Sequence, residues 1–420
     1  MNADLIIYNI GVLYTPYLKP PVRGLEMSKI KEIKNAFVAI KDGIIIDFGD
    51  HDYVDYISPN TVVHDAHMQI LLPGFIDSHT HLVHAGTREG EYAQLRAGVP
   101  YLDILKAGGG ILGTVEKTRH ASFDDLYRHA WGSLSEMMLY GVTSIEAKSG
   151  YGLNLETEEK QLKVAKKLQE NHPVRLISTY MGAHAIPKSY IGNNKGYIKE
   201  LMSDMAYIKK EKLADAVDVF CETGVFSVEE TRTILQKAKD LGFSIKLHAD
   251  EINSLGGAGL GVDMGASSVD HLMAISDKDI LKLAKSNTIA NLLPGTSFYL
   301  NKGYANARKM IDSNVAVSIA GDYNPGSCPT ENFQFIMHLA SNQLKMSPEE
   351  ILNAVTINPA YHLGISGMTG SIEIGKEADL VLMDAPNLSY LLYHFGVNHT
   401  KHVLIHGKFV VSNRQIVRES

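Results

Sequence analysis

Leu71-Leu72-Pro73-Gly74-Phe75-Ile76-Asp77-Ser78-His79-Thr80-His81 is a short apolar run that closes on two imidazoles two residues apart. Its apolar character and length read as a buried strand, on which side chains repeat with period two. His79 and His81 therefore project from one face of a rigid element, close enough to bind one ion. A helix cannot present them this way. Paired histidines also occur on exposed strands, so the reading depends on what the rest of the chain supplies.

Downstream, short apolar strands alternate with amphipathic helices, the pattern of a parallel α/β fold. The strand candidates are residues 75–81, 143–148, 175–185, 216–222, 244–250, 267–272, 288–293 and 315–322. Ser122 and Asp125 open a helix with the stripe Leu126, Ala130, Leu134, Met137 and a stop at Gly141. Ser227 and Glu230 form a capping box, and Ser347-Pro348 places proline at a first helical position. Eight such units over about 290 residues match a (β/α)8 TIM barrel, typically ~250 residues before insertions. A doubly wound open sheet is the competing architecture.

Upstream, residues 4–10, 36–41, 43–48 and 61–63 read as strands with almost no helical periodicity, and β character returns over 370–384 and 403–411. Strands at both ends need a common partner. We therefore expect a small discontinuous β-sandwich domain from residues 1–72 and 369–420, flanking a catalytic barrel over 73–368.

Composition narrows the function. Of 420 residues, 45% are hydrophobic and 21% charged, as in an ordinary globular protein. A formal charge of -7 with no basic stripe argues against nucleic acid. The two cysteines, Cys221 and Cys328, lack metal-finger spacing and suit a reducing cytosol. Neither a leader nor a membrane-length apolar stretch is evident, so the expectation is a cytoplasmic protein acting on a small molecule.

Three further strand ends hold metal-competent groups: Leu247-His248-Ala249-Asp250-Glu251, Val269-Asp270-His271 and Ala320-Gly321-Asp322. The C-terminal ends of barrel strands converge on one face, where active sites form. His79, His81, His248 and Asp322 make a three-nitrogen, one-oxygen set suited to Zn²⁺ or Fe²⁺, an ion that activates water and polarises a carbonyl. Glu251 is placed to exchange a proton with a leaving nitrogen, although a helix-start carboxylate explains its spacing nearly as well. His271 could orient the water or donate to an oxyanion, and Asp322 could bind metal and shuttle a proton.

With their surroundings, these residues resemble the amidohydrolase superfamily and, within it, the imidazolonepropionase family. The motifs that carry the likeness include Asp77-Ser-His79-Thr-His81-Leu-Val-His84-Ala-Gly-Thr-Arg88-Glu89, Lys148-Ser-Gly-Tyr151, Met181-Gly-Ala-His184, His248-Ala-Asp-Glu251, Asp322-Tyr-Asn324-Pro-Gly326-Ser327 and Tyr393-His-Phe-Gly-Val-Asn398. The resemblance implies one divalent ion on His79, His81, His248 and Asp322. It also implies hydrolysis of the ring C–N bond of 4-imidazolone-5-propanoate, and a homodimer. Substrate contacts are implied for Arg88, Tyr101, Tyr151, His184, Glu251, Asn324, Gly326 and Ser327. Arg88 suits a substrate carboxylate, which a guanidinium holds bidentately; a surface ion pair is its plainer reading. A sibling cyclic amidohydrolase or heterocycle aminohydrolase is the alternative. Binuclear relatives place a carboxylated lysine or a Glu at the end of the fourth strand, where this chain has Cys221-Glu222; one ion rather than two is expected, and Lys148 reads as structural. Gly108 to Gly110 read as a flap or tight turn. Gly321, where the family usually has Thr, and Cys328, where it has Ser, depart from the pattern beside the site.

Overall fold

The opening run is cut in two at Gly74. In the computed structural model, which describes residues 2–99, 103 and 109–417, the part of that run before Gly74 belongs to one sheet and the part after it to another. Before the cut lie β1 (Leu5–Thr15), β2 (Lys31–Lys41), β3 (Ile44–Gly49), β4 (Val62–Asp65) and β5 (Ile70–Pro73). After it come eight parallel strands: β6 (Phe75–Thr80), β7 (Val142–Lys148), β8 (Arg175–Ala183), β9 (Ala216–Cys221), β10 (Ser244–Ala249), β11 (Ser268–His271), β12 (Ile289–Leu292) and β13 (Val317–Ile319). β14 (Leu380–Met383), β15 (Thr400–Ile405), β16 (Lys408–Ser412) and β17 (Gln415–Ile416) complete the set.

The eight parallel strands follow one another in chain order, and the ring closes where the last returns to the first. There Asp322 N–H donates to the His79 carbonyl at 2.9 Å and His81 N–H to the Tyr323 carbonyl at 2.9 Å. This is the expected (β/α)8 barrel rather than an open sheet. The helix starts follow their local chemistry: Ser122 accepts from Asp125 N–H, and both capping boxes, Ser227 with Glu230 and Ser347 with Glu350, are formed.

Several bounds differ from the sequence reading. β13 covers only Val317–Ile319, not 315–322; beyond it Asp322 takes a left-handed backbone (φ 55) and its N–H bonds to the His79 carbonyl of β6. β12 stops at Leu292, since Pro294 opens a helix. β1 and β2 run to eleven residues each, and β5 is a separate strand that the continuous apolar run concealed. Within 370–384 only Leu380–Met383 is strand.

The strands from the two chain ends join in one nine-stranded mixed sheet, with β5 pairing β1 on one side and β14 on the other. The sheet rolls round its own core, bringing Gly43 at one end against His406 and Gly407 at the other. Period two decides which core each residue enters. Leu71, Leu380, Leu382 and Leu404 face the interior of this β unit. Their neighbours Ile70, Leu72, Val381, Met383, Val403 and Ile405 face the core shared with the barrel. Each such fully buried side chain contributes about 1.5–3 kcal/mol, so one three-strand patch cements both units.

Gly74 sits at this seam, where a Cβ would lie 2.2 Å from Thr143 Oγ1 and 2.8 Å from Thr143 Cβ. Gly74→Ala is expected to cost about 1–3 kcal/mol in a urea titration, as overpacking does. Adding Thr143→Ala should restore only part, because the Cβ contact remains; an unshifted midpoint in the single variant would contradict the tight seam.

Candidate active site

Alternation along the barrel strands puts apolar residues outward and polar ones inward. Ile145 and Ala147, Val217 and Val219, Leu247 and Ala249, and Val269 pack in the outer core. Their neighbours Glu146, Lys148, Asp218, Lys246 and Asp270 line the interior, each at most 1% exposed. Such charges are tolerable only when paired. Lys148 Nζ lies 2.6 Å from Asp218, 3.0 Å from Glu146 and 3.8 Å from Asp270, and Lys246 Nζ lies 2.6 Å from Glu146.

Above this layer, the C-terminal strand ends bring His79, His81 and His248 together with ligand atoms within 4.8 Å of one another. Asp322 Oδ1 lies 3.5 Å from His79 Nε2 and 3.8 Å from His81 Nε2, and its other oxygen accepts from Thr296 Oγ1. Carboxylates stand behind two rings: His79 Nδ1 is 2.5 Å from Asp270 Oδ2, and His248 Nδ1 is 3.1 Å from Asp218 Oδ1. With Nδ1–H donating backward, each Nε2 carries its lone pair forward. Those two Nε2 atoms, and His81 Nδ1, are buried without a hydrogen-bond partner. The orphaned Nε2 atoms of His79 and His248, gathered with His81 beside the Asp322 carboxylate, fit a divalent transition ion.

Burial holds His79 and His81 well below the ordinary imidazole range, which keeps them neutral. For His248, burial is outweighed by Asp218 and the net shift is upward. Burial raises Asp322, lifts Glu251 to about 7, and lowers His271 to about 3. Glu251 Oε2 lies 3.7 Å from His271 Nε2, and the His271 ring is 5.0 Å from that of His248. Asp250, His271, Leu272 and Asp322 all have positive φ (48 to 77), a strain of order 1 kcal/mol or more each that gathers at this rim.

Buried carboxylates tether the surrounding loops. Glu222 accepts from Ile252 N–H, Asn253 N–H and Asn253 Nδ2, all within 3.2 Å, and so holds the loop of Glu251; both its oxygens are engaged there. Glu158 accepts from Gly150, Gly152 and Leu153 N–H at 2.7–2.9 Å, fixing the loop of Tyr151. Tyr151 is buried, 5.7 Å from the His81 ring, and His184 stacks on His81 at 4.7 Å. Arg88 Nε donates to Thr114 at 2.8 Å, and the guanidinium lies so close to Gly326 that a Cβ there would be 2.2 Å from Nη1. Its charge reaches Tyr151 and His184. Asn324 spends its amide on its own loop, donating to the Asp322 carbonyl and Ser327 Oγ and accepting from Gly326 and Ser327 N–H. Tyr101 and Gly108 lie outside the described residues.

The two departures have local reasons. A Cβ on Gly321 would stand 2.5 Å from Asp77 Oδ2, whose partner oxygen accepts from Gly321 N–H. Cys328 is buried, packed where a Cβ on Gly295 would meet its sulfur at 2.5 Å.

Comparison with known proteins matches this arrangement to one family. The model of the amidohydrolase family matches residues 70–410. The imidazolonepropionase of Fusobacterium nucleatum is 48% identical over 411 residues, 98% of this chain and 99% of the relative. That of Bacillus cytotoxicus is 49% identical over 406 residues, 96% of each. The chain belongs to the imidazolonepropionase family of amidohydrolases. The zinc-bound crystal structure of an adenosine deaminase from Xanthomonas campestris superposes on this amidohydrolase with a TM-score of 0.73 at 18% identity, covering 100% of this chain and 95% of that one. Guanine deaminase from E. coli gives 0.73 at 15%, covering 97% and 98%. Both share the fold.

Nothing in the sequence pattern alone assigns Asp218, Asp270 or Thr296 a role in this amidohydrolase, and by pattern Lys148 reads as structural. The signal was present in Ile145-Glu146-Ala147-Lys148, Val217-Asp218-Val219 and Ile245-Lys246-Leu247, charges alternating with apolar residues inside strands of a parallel sheet. Both faces of such a sheet are buried, so those charges must pair inside the barrel.

Glu158→Ala strips the acceptor from three buried amides, each costing about 1–3 kcal/mol if left dry. Amide hydrogen exchange at Gly150, Gly152 and Leu153 is expected to quicken well beyond that of β7; unchanged protection would mean that the loop holds without this carboxylate.

Proposed function

We propose that this amidohydrolase is an imidazolonepropionase, hydrolysing the ring C–N bond of 4-imidazolone-5-propanoate to N-formimidoyl-L-glutamate in histidine degradation. What carries the reading is 48% identity sustained over 98% of the chain. His79, His81, His248 and Asp322 would hold one divalent ion, Zn²⁺ or Fe²⁺, and bound there it would supply Lewis acidity that activates water and polarises the ring carbonyl.

The chain's own groups supply the rest. Arg88, steadied through Nε by Thr114, presents its remaining N–H groups to the propanoate carboxylate. Tyr151 and His184 flank the ring of the substrate, Ser327 adds a polar contact, and Asn324 with Gly326 shapes the loop under Arg88; for Tyr101 a substrate contact rests on the family resemblance alone. His271, kept neutral by burial, donates an N–H to the oxyanion that develops on the ring carbonyl. Glu251, with a carboxyl near 7, gives up or takes a proton at working pH and passes it to the leaving ring nitrogen; Asp322 is the second group able to move that proton. The free thiols of Cys221 and Cys328 suit a cytoplasmic setting, and no helix among the described residues is long and apolar enough to cross a membrane.

Two experiments test this reading. Loss of the ultraviolet absorbance of imidazolone propanoate should follow addition of the metal-loaded enzyme, and Asp322→Ala should lose both turnover and metal; full activity in that variant would remove Asp322 from the mechanism. Arg88→Met should raise KM at least tenfold, about 1.4 kcal/mol, while retaining metal. Gly326→Ala, which crowds the guanidinium, should shift KM the same way, and unchanged KM in both would argue against the carboxylate clamp.

A further inference from the structure

We propose that Lys148 is a positioning residue for the metal centre: its single ammonium group locks the two carboxylates that aim His79 and His248. The proposal rests on the metal reading above and adds a layer beneath it. Lys148 Nζ is 2.6 Å from Asp218 Oδ2, and the other oxygen of that carboxylate receives both the backbone N–H and the Nδ1 of His248 at 3.1 Å. The same ammonium lies 3.8 Å from Asp270 Oδ2, the atom 2.5 Å from His79 Nδ1. Asp270 is further pinned by Ser268 Oγ at 2.6 Å and Asn291 Nδ2 at 3.3 Å. One cation therefore bridges supports that rise on different strands, β9 and β11, and serve ligands on β10 and β6. A carboxylate whose rotation is fixed holds the imidazole tautomer and ring plane behind it, and loss of such outer partners typically weakens metal affinity about 10–100-fold. Lys246 is the internal control: it hydrogen-bonds Glu146 at 2.6 Å and the Ser78 carbonyl at 3.4 Å, feels Asp270 only through its charge, and bonds to neither carboxylate behind the rings.

Lys148→Met and Lys246→Met each remove one buried cation, so a purely structural role predicts lower melting temperatures for both and no difference at the metal. We expect instead that Lys148→Met weakens Zn²⁺ affinity, read by chelator competition, by about 10–100-fold. The absorption bands of its Co²⁺ form should also change, while Lys246→Met keeps the wild-type spectrum and an affinity within about threefold. Equal behaviour of the two variants, or wild-type affinity in Lys148→Met, would overturn the proposal. If Lys148→Met does not fold, Asp218→Asn is compared with Lys148→Met/Asp218→Asn, in which the unpaired carboxylate is gone. The double variant should bind Zn²⁺ at least fivefold more weakly than the single, and equal binding would overturn the proposal. Failure of the wild-type enzyme to take up one equivalent of Co²⁺ would instead refute the metal reading on which this one stands.

Discussion

A carboxylate behind an imidazole decides which of its nitrogens faces forward, and in this barrel that interaction governs the site. Asp270 and Asp218 each accept from Nδ1 of a histidine, which leaves two Nε2 lone pairs converging where nothing else satisfies them. His79 and His81 are stable as neutral groups in this dry space because burial suppresses their protonation, whereas Asp218 shifts His248 upward. The cost of that arrangement is carried by the charged layer below, where two ammonium groups meet three carboxylates with almost no access to water.

The fold makes such a layer possible. A parallel barrel buries both faces of its sheet, so polar residues at alternate positions can pair only with one another across the interior. Closure of the ring at the His79 and Tyr323 carbonyls sets the first and last strands side by side, and this is what brings Asp322 to the two histidines of β6. The cavity of about 640 Å³ lined by His84, Arg88, Tyr92, Tyr299 and Tyr323 opens beside the same end of the strands. A second one, of about 540 Å³, touches Ala216, Ser244 and Thr288 at the opposite end, away from His79, His81 and His248.

Much of this was legible in the chain. The His-x-His at the end of an apolar run, the single His of β10 and the Asp after β13 announced the four groups that gather at one end of the barrel, because strand geometry and barrel convergence are properties of pattern. The capping serines marked helix starts for equally local reasons. The seam at Gly74 was hidden, since two consecutive buried strands in different sheets look like one apolar run. Lys148 and Asp218 were hidden differently: a charge in a buried strand is explained only by its partner, and Lys148 lies 70 residues from Asp218 and 122 from Asp270. Asn324 shows the reverse case, in which a turn-forming side chain is occupied by its own loop.

Whether the three histidines and Asp322 hold one ion can be read from anomalous diffraction at the zinc edge, in crystals grown with Zn²⁺. One strong peak is expected, bounded by His79, His81, His248 and Asp322, with Asp270 and Asp218 still behind the His79 and His248 rings. A peak elsewhere, or none at full zinc occupancy of the medium, would contradict it.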